Sequence, residues 1–96
     1  MTTTRITAEA NQKVHDYYAE QVAVAVAEYE DLAFQLKDLV RDIDFNITTE
    51  GEVPELDTIE NLTWRVGKAA KRVARAQKDL ASADAYIAEQ TTTTNI

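Results

Sequence analysis

A regular seam of apolar residues runs through the first half of the chain with no glycine or proline to interrupt it. Its members recur at alternating intervals of four and three residues, which is the heptad spacing of a long amphipathic helix, whereas a strand alternates at every second residue. They are Tyr18, Val22, Ala25, Tyr29, Leu32, Leu36, Leu39 and Ile43. We therefore expect a helix over residues 8–44, and the rest of the chain must cover its seam.

A second seam of the same spacing occupies the other half of the chain and predicts a helix over residues 58–90. Asp57 and Glu60 have the spacing of a capping box, which places the start of this helix near Thr58. Between the seams, residues 45–57 contain Pro54 and Gly51 and predict a connector. The sequence thus predicts one all-α domain over residues 1–96, in which two long antiparallel helices form a coiled-coil-like helical hairpin.

Antiparallel pairing of the two seams fixes a register. It brings Leu36 near Val66 and sets Glu28 beside Arg72 as an ion pair. The Thr-rich segments 1–6 and 91–96 lie outside both seams and predict flexible tails. We also expect four apolar residues near the connector to fold back over the end of the core, namely Phe45, Ile47, Val53 and Leu56.

The first helix carries more apolar surface than one partner helix can cover. A second row, beside the seam, consists of Ala19, Val26, Ala33 and Val40. A stripe this wide is typical of helical bundles, so we expect a further helix pair, added by oligomerisation or by docking on a larger assembly. Phe34 and Trp64 point away from the seams, and Gly67 follows Trp64 at a position that would permit close approach, so these three are also expected interface residues.

Composition limits the classes of partner. The net charge of −7 argues against direct binding to nucleic acid and favours protein partners, with self-association first. No apolar run is long enough to cross a membrane, and the N-terminus lacks the apolar block of a signal peptide. We therefore expect a protein that stays in the cytoplasm or enters a particle, such as a virion, assembled there.

Residues that carry chemistry are scarce. His15 is the single histidine, Ser82 is the single serine, and cysteine is absent. No glycine-rich loop or nucleophile elbow occurs, so we expect no catalytic residue, no cofactor and no metal site. The basic residues of the second helix could contact phosphate or an acidic protein, but we expect them to pair with the acidic first helix of the same or a neighbouring copy; they are Arg65, Lys68, Lys71, Arg72, Arg75 and Lys78.

These observations favour a non-enzymatic structural or adaptor protein that acts through helix-mediated self-association or docking, such as a small phage virion component. One alternative is a small acidic inhibitor of the kind that phages use against host defence, which would bind a basic site on another protein. Its binding surface would be the acidic series Glu28, Glu30, Asp31 and Asp38.

A second alternative comes from the segment Trp64, Arg65, Val66 and Gly67. Together with the chain length and the hairpin, it resembles the WXG100 family of small secreted helical hairpins. That family has Trp-x-Gly in the turn between its helices, whereas this chain has Trp-x-x-Gly inside the second helix. The resemblance therefore extends to overall architecture, and it implies a secreted helical hairpin.

Overall fold

Both seams form continuous helices. The computed structural model describes the backbone of residues 2–94 and the side chains of residues 8–90, and over that range it contains no strand. Helix α1 spans Thr2–Phe45, a π-helical turn follows at Asn46–Glu50, and helix α2 spans Asp57–Thr94. The predicted all-α helical hairpin is confirmed.

The helices extend further than their seams. Helix α1 begins at Thr2 and α2 ends at Thr94, so most of the two Thr-rich segments continues the helices. Extending an existing helix adds one hydrogen bond per residue without a nucleation cost, and threonine disfavours a helix by at most about 0.7 kcal/mol relative to alanine. Met1, Asn95 and Ile96 lie outside the described residues, and flexibility of the tails stays a prediction.

Glycine and proline end the first helical run as the sequence indicates. Gly51 has a φ of 70°, in the left-handed region, and its N–H donates to the carbonyl of Asn46. The N–H of Glu52 donates to the same carbonyl at 3.0 Å, so both residues that follow the π-helical turn hydrogen-bond to its first residue. Helix α2 then begins at Asp57, one residue before the predicted start, with Asp57 and Glu60 in its first turn.

The expectation that connector residues cover the end of the core is wrong. Phe45, Ile47, Val53 and Leu56 are between 45% and 71% exposed. The physical reason is length: the π-helical turn carries the first helical run to Glu50, so only residues 51–56 remain to cross to α2. These residues are needed to span the distance between the two helices, so the connector cannot also fold back over the end of the core.

The core is a thin layer between the helices. Leu32, Leu62 and Ala69 are 5%, 8% and 1% exposed, and Leu36, Leu39 and Val66 pack against them. Leu36 and Val66 join the same cluster, and Glu28 lies 2.9 Å from Arg72 between side-chain oxygen and nitrogen, so the predicted register is confirmed. The result is a rod whose Cα atoms span 73 × 16 × 16 Å.

Candidate interaction surfaces

The expected apolar row on α1 is partly covered by α2. Ala19, Val26 and Ala33 are half-buried, and Val40 is exposed. These small side chains make a shallow surface, which lets another backbone approach closely. We call this row the alanine-valine flank.

Phe34 lies on the outer side of α1, where the chain does not cover it. Its side chain is 66% exposed, as the heptad position predicts. Ala23 and Ala27 share this side of the helix and are also exposed. An aromatic side chain therefore projects from an otherwise small-residue surface.

Trp64 and Gly67 lie within α2, well away from the turn. Trp64 is 60% exposed, and the Lys68 Nζ sits 4.4 Å from the centroid of its ring, a cation–π contact. A β-carbon placed on Gly67 would meet nothing within 4 Å outside its own helix backbone. The indole thus packs on a lysine of its own helix, and the described part of the chain offers no reason for the glycine.

A groove that the seams did not predict lies on the other flank of the hairpin. Two adjoining depressions share Tyr18 and Asp79, one running towards Val24 and the other towards Tyr86. We call this surface the tyrosine groove and define it by Tyr17, Tyr18, Val24, Ala25, Ala76 and Tyr86. Tyr17, Val24 and Tyr86 were missed because they lie outside both seams; the only signal is that each flanks a seam residue on the side facing the other helix.

The walls of the tyrosine groove are exposed aromatic rings. Tyr17 and Tyr86 are 57% and 60% exposed. Tyr17 shares the first depression with the half-buried Ala25 and Ala76, and Tyr86 lines the second beside the half-buried Ala83. Tyr17 packs edge-to-face on Tyr18, with ring centroids 5.2 Å apart and planes at 85°. The groove therefore presents large rings around a floor of small residues.

Basic side chains line one end of this groove. Arg72 and Arg75 belong to it and also to a neighbouring depression formed with Lys68 and Lys71. Within the described residues, only Arg72 of the six basic residues of α2 pairs with the acidic α1, through Glu28. Within one copy, the expected pairing of these basic residues with α1 is therefore met at one position, and pairing with a neighbouring copy stays a prediction.

A histidine clamp joins the helices far from the connector. The Nδ1 of His15 lies 2.7 Å from an Asp84 carboxylate oxygen. The hydrogen bond to Asp84 and then the negative charge of that carboxylate raise the pKa of His15, with a small contribution from Asp16 and a small opposing effect of desolvation. Protonated His15 is thus the form that this contact favours.

Metal clusters and membrane-spanning segments are both absent from the part of the chain with described side chains. No group of three or more His, Cys, Asp or Glu side chains that could hold a metal ion occurs among residues with described side chains. Over the same part of the chain, neither helix contains a segment long and apolar enough to cross a bilayer.

Comparisons with known proteins find no family model, no curated protein and no solved structure that matches this chain.

Proposed function

We propose that this protein is a non-enzymatic structural or adaptor protein that works by helix-mediated self-association, with a second copy completing the bundle. One observation carries the proposal, namely the surface that the hairpin leaves exposed. The chain exposes 7580 Å², whereas a compact protein of its mass, 10.7 kDa, exposes about 5,500 Å². The excess of about 2,000 Å² on one chain is more than twice the area of about 800 Å² that each partner buries in a standard protein–protein interface.

The shape of the hairpin supports the same proposal. Its radius of gyration is 21.6 Å, against about 12.5 Å for a compact domain of 96 residues. Only Leu32, Leu62 and Ala69 are buried among the residues with described side chains. A core this thin gains little hydrophobic stabilisation against the entropy of ordering two long helices.

The alanine-valine flank is the surface on which we place the second copy. A two-fold interface brings the same row of both copies together, and small residues allow the close helix spacing of a four-helix bundle. Val40, which is 46% exposed, would become buried on such contact. Membership of a phage virion would be one setting for this assembly and stays a prediction.

The alternative of an acidic inhibitor has weaker support. Three of its four carboxylates are engaged inside the chain: Glu28 pairs with Arg72, Asp38 pairs with Arg41, and Asp31 accepts a hydrogen bond from Gln35. The arginine partners of Glu28 and Asp38 offset the negative charge that a basic protein would meet there. The secreted WXG100-like alternative has no support beyond architecture.

The proposal is tested with Val26→Glu and Val40→Glu, compared by light scattering with the natural chain. We expect self-association in the natural chain and its loss in both variants, because each would bury an unpaired carboxylate in the interface. Ala85→Glu is the matched control, since Ala85 is exposed and its helical position lies opposite the seam of α2, about 27 Å along the helix from Gly67. Variants that associate as well as this control would contradict the role of the flank, and circular dichroism checks that each variant stays helical.

A further inference from the structure

We infer that the tyrosine groove receives the outer face of α1 from another copy of this chain, with Phe34 as the inserted side chain. The inference rests on the self-association proposed above and adds a second contact to it. The flank joins two copies symmetrically, whereas this contact joins different surfaces of successive copies.

The groove is built to take an aromatic side chain. The depression that contains Arg75 and Asp79 has Tyr17, Tyr18 and Val24 in its walls and the small residues Ala25 and Ala76 in its lining, while Tyr86 belongs to the adjoining depression. Aromatic rings attract one another in edge-to-face or offset arrangements at centroid distances of about 4.5–7 Å. Tyr17 and Tyr18 already adopt such an arrangement, at 5.2 Å, and leave the outer surface of Tyr17 exposed.

The outer face of α1 supplies a side chain of that kind. Phe34 has the second highest exposed fraction of the large apolar side chains with described burial, after Val53 in the connector. Ala23 and Ala27 precede it on the same face and would not hinder entry of the ring. Phe34 also lies on a helix rather than a loop, so it costs little ordering entropy on docking.

Charges on the two surfaces are complementary and run in the same order. Around Phe34, Glu30 precedes the ring by one helical turn and Lys37 follows it; along the groove, Arg75 precedes Asp79 by one turn. None of these four charges has an ion-pair partner within the described part of the chain. Placing α1 of one copy parallel to α2 of the next brings Glu30 towards Arg75 and Lys37 towards Asp79.

The charges also disfavour a nucleic acid as occupant. Glu28 and Asp79 line the groove beside Arg72 and Arg75, so a phosphate would meet carboxylates as well as guanidinium groups. A helix that carries both signs of charge fits this pattern better than a polyanion does.

Because this contact joins two different surfaces, one tyrosine groove and one Phe34 face stay unoccupied after each copy is added. Such heterologous contacts produce rings or open filaments, whereas a two-fold contact stops at a dimer. The expected consequence is growth beyond the dimer as protein concentration rises.

The test compares the mass of five chains by light scattering over a concentration series. The natural chain should grow beyond a dimer, while Phe34→Ala and Arg75→Glu should stop at a dimer, with the second contact weakened about thirtyfold, as expected for a central interface residue. Phe45→Ala is the matched control, because Phe45 is also an exposed phenylalanine but lies at the connector. The double variant Glu30→Arg with Arg75→Glu should regain growth, since each copy then carries both reversed charges.

The outcomes distinguish a failure of this inference alone from a failure of the proposed function as well. Growth of Phe34→Ala equal to that of Phe45→Ala would overturn the inference, as would a double variant that stays a dimer. A natural chain that forms a dimer and grows no further would overturn the inference and leave the flank contact standing. A natural chain that is monomeric at every concentration would overturn both.

Discussion

Gly67→Ala should stabilise the hairpin, and the size of the effect follows from the surroundings of the glycine. Gly67 is exposed inside α2, and a β-carbon there would meet nothing within 4 Å outside its own helix backbone. Alanine therefore gains its full helix preference over glycine, about 1 kcal/mol, with no steric cost. For a domain of this size, that gain raises the melting temperature by about 4–8 °C.

The measurement is thermal and urea unfolding followed by circular dichroism, at the lowest usable protein concentration so that the hairpin itself is observed. Ala70→Gly is the reverse control: Ala70 is also exposed in α2, and its replacement should cost about 1 kcal/mol. A Gly67→Ala chain no more stable than the natural one would refute the reasoning, because it would mean that Gly67 is not open. If Gly67→Ala left the stability of the hairpin unchanged and only weakened self-association at high protein concentration, Gly67 would instead lie in a contact between copies.

Two further predictions concern the core and the histidine clamp. Leu32→Ala should lower the free energy of unfolding by about 2–4 kcal/mol, because it removes a buried side chain from a thin core that can collapse only in part. The control Val40→Ala alters an exposed side chain and should lower it by less than about 1 kcal/mol. Both values are measured by urea unfolding at low protein concentration, and equal losses of stability would contradict the packing described. The pKa of His15, followed by NMR, should lie above 6.5 and fall in Asp84→Asn. Because the folded-state pKa of His15 is raised, its contact with Asp84 stabilises the hairpin fully below pH 6.5 and loses this effect as the pH rises through the folded-state pKa. The same His15 pKa in the natural chain and in Asp84→Asn would contradict the contact.

Much of the fold could be predicted because a heptad seam specifies the buried face of a helix and the minimum span of that helix, although both helices continue past their seams. The alternation of Leu32, Leu36 and Leu39 on α1 with Leu62 and Ala69 on α2 was sufficient to fix the antiparallel register. The exposure of the apolar connector residues could not be predicted, because it depends on where the first helical run stops. Hydrophobic periodicity does not specify a π-helical turn that is capped by Gly51.

The surfaces could be predicted only in part, for a different reason. The positions of Phe34 and Val40 follow from one helix alone, so spacing sufficed. The tyrosine groove combines Tyr17 and Tyr86 from opposite ends of the sequence, so it becomes visible only when the register is applied residue by residue. His15 and Asp84 likewise come from opposite ends of the sequence, so only the antiparallel register brings them together.

The central claim, that the hairpin acts by associating with copies of itself, is tested most directly by sedimentation equilibrium or light scattering of the natural chain from low micromolar to near-millimolar concentration. Mass must be measured directly, because a rod of 73 × 16 × 16 Å elutes early from a sizing column even as a monomer. The account predicts a mass that rises from 10.7 kDa to at least twice that value as concentration increases. A mass of 10.7 kDa at every concentration would contradict it.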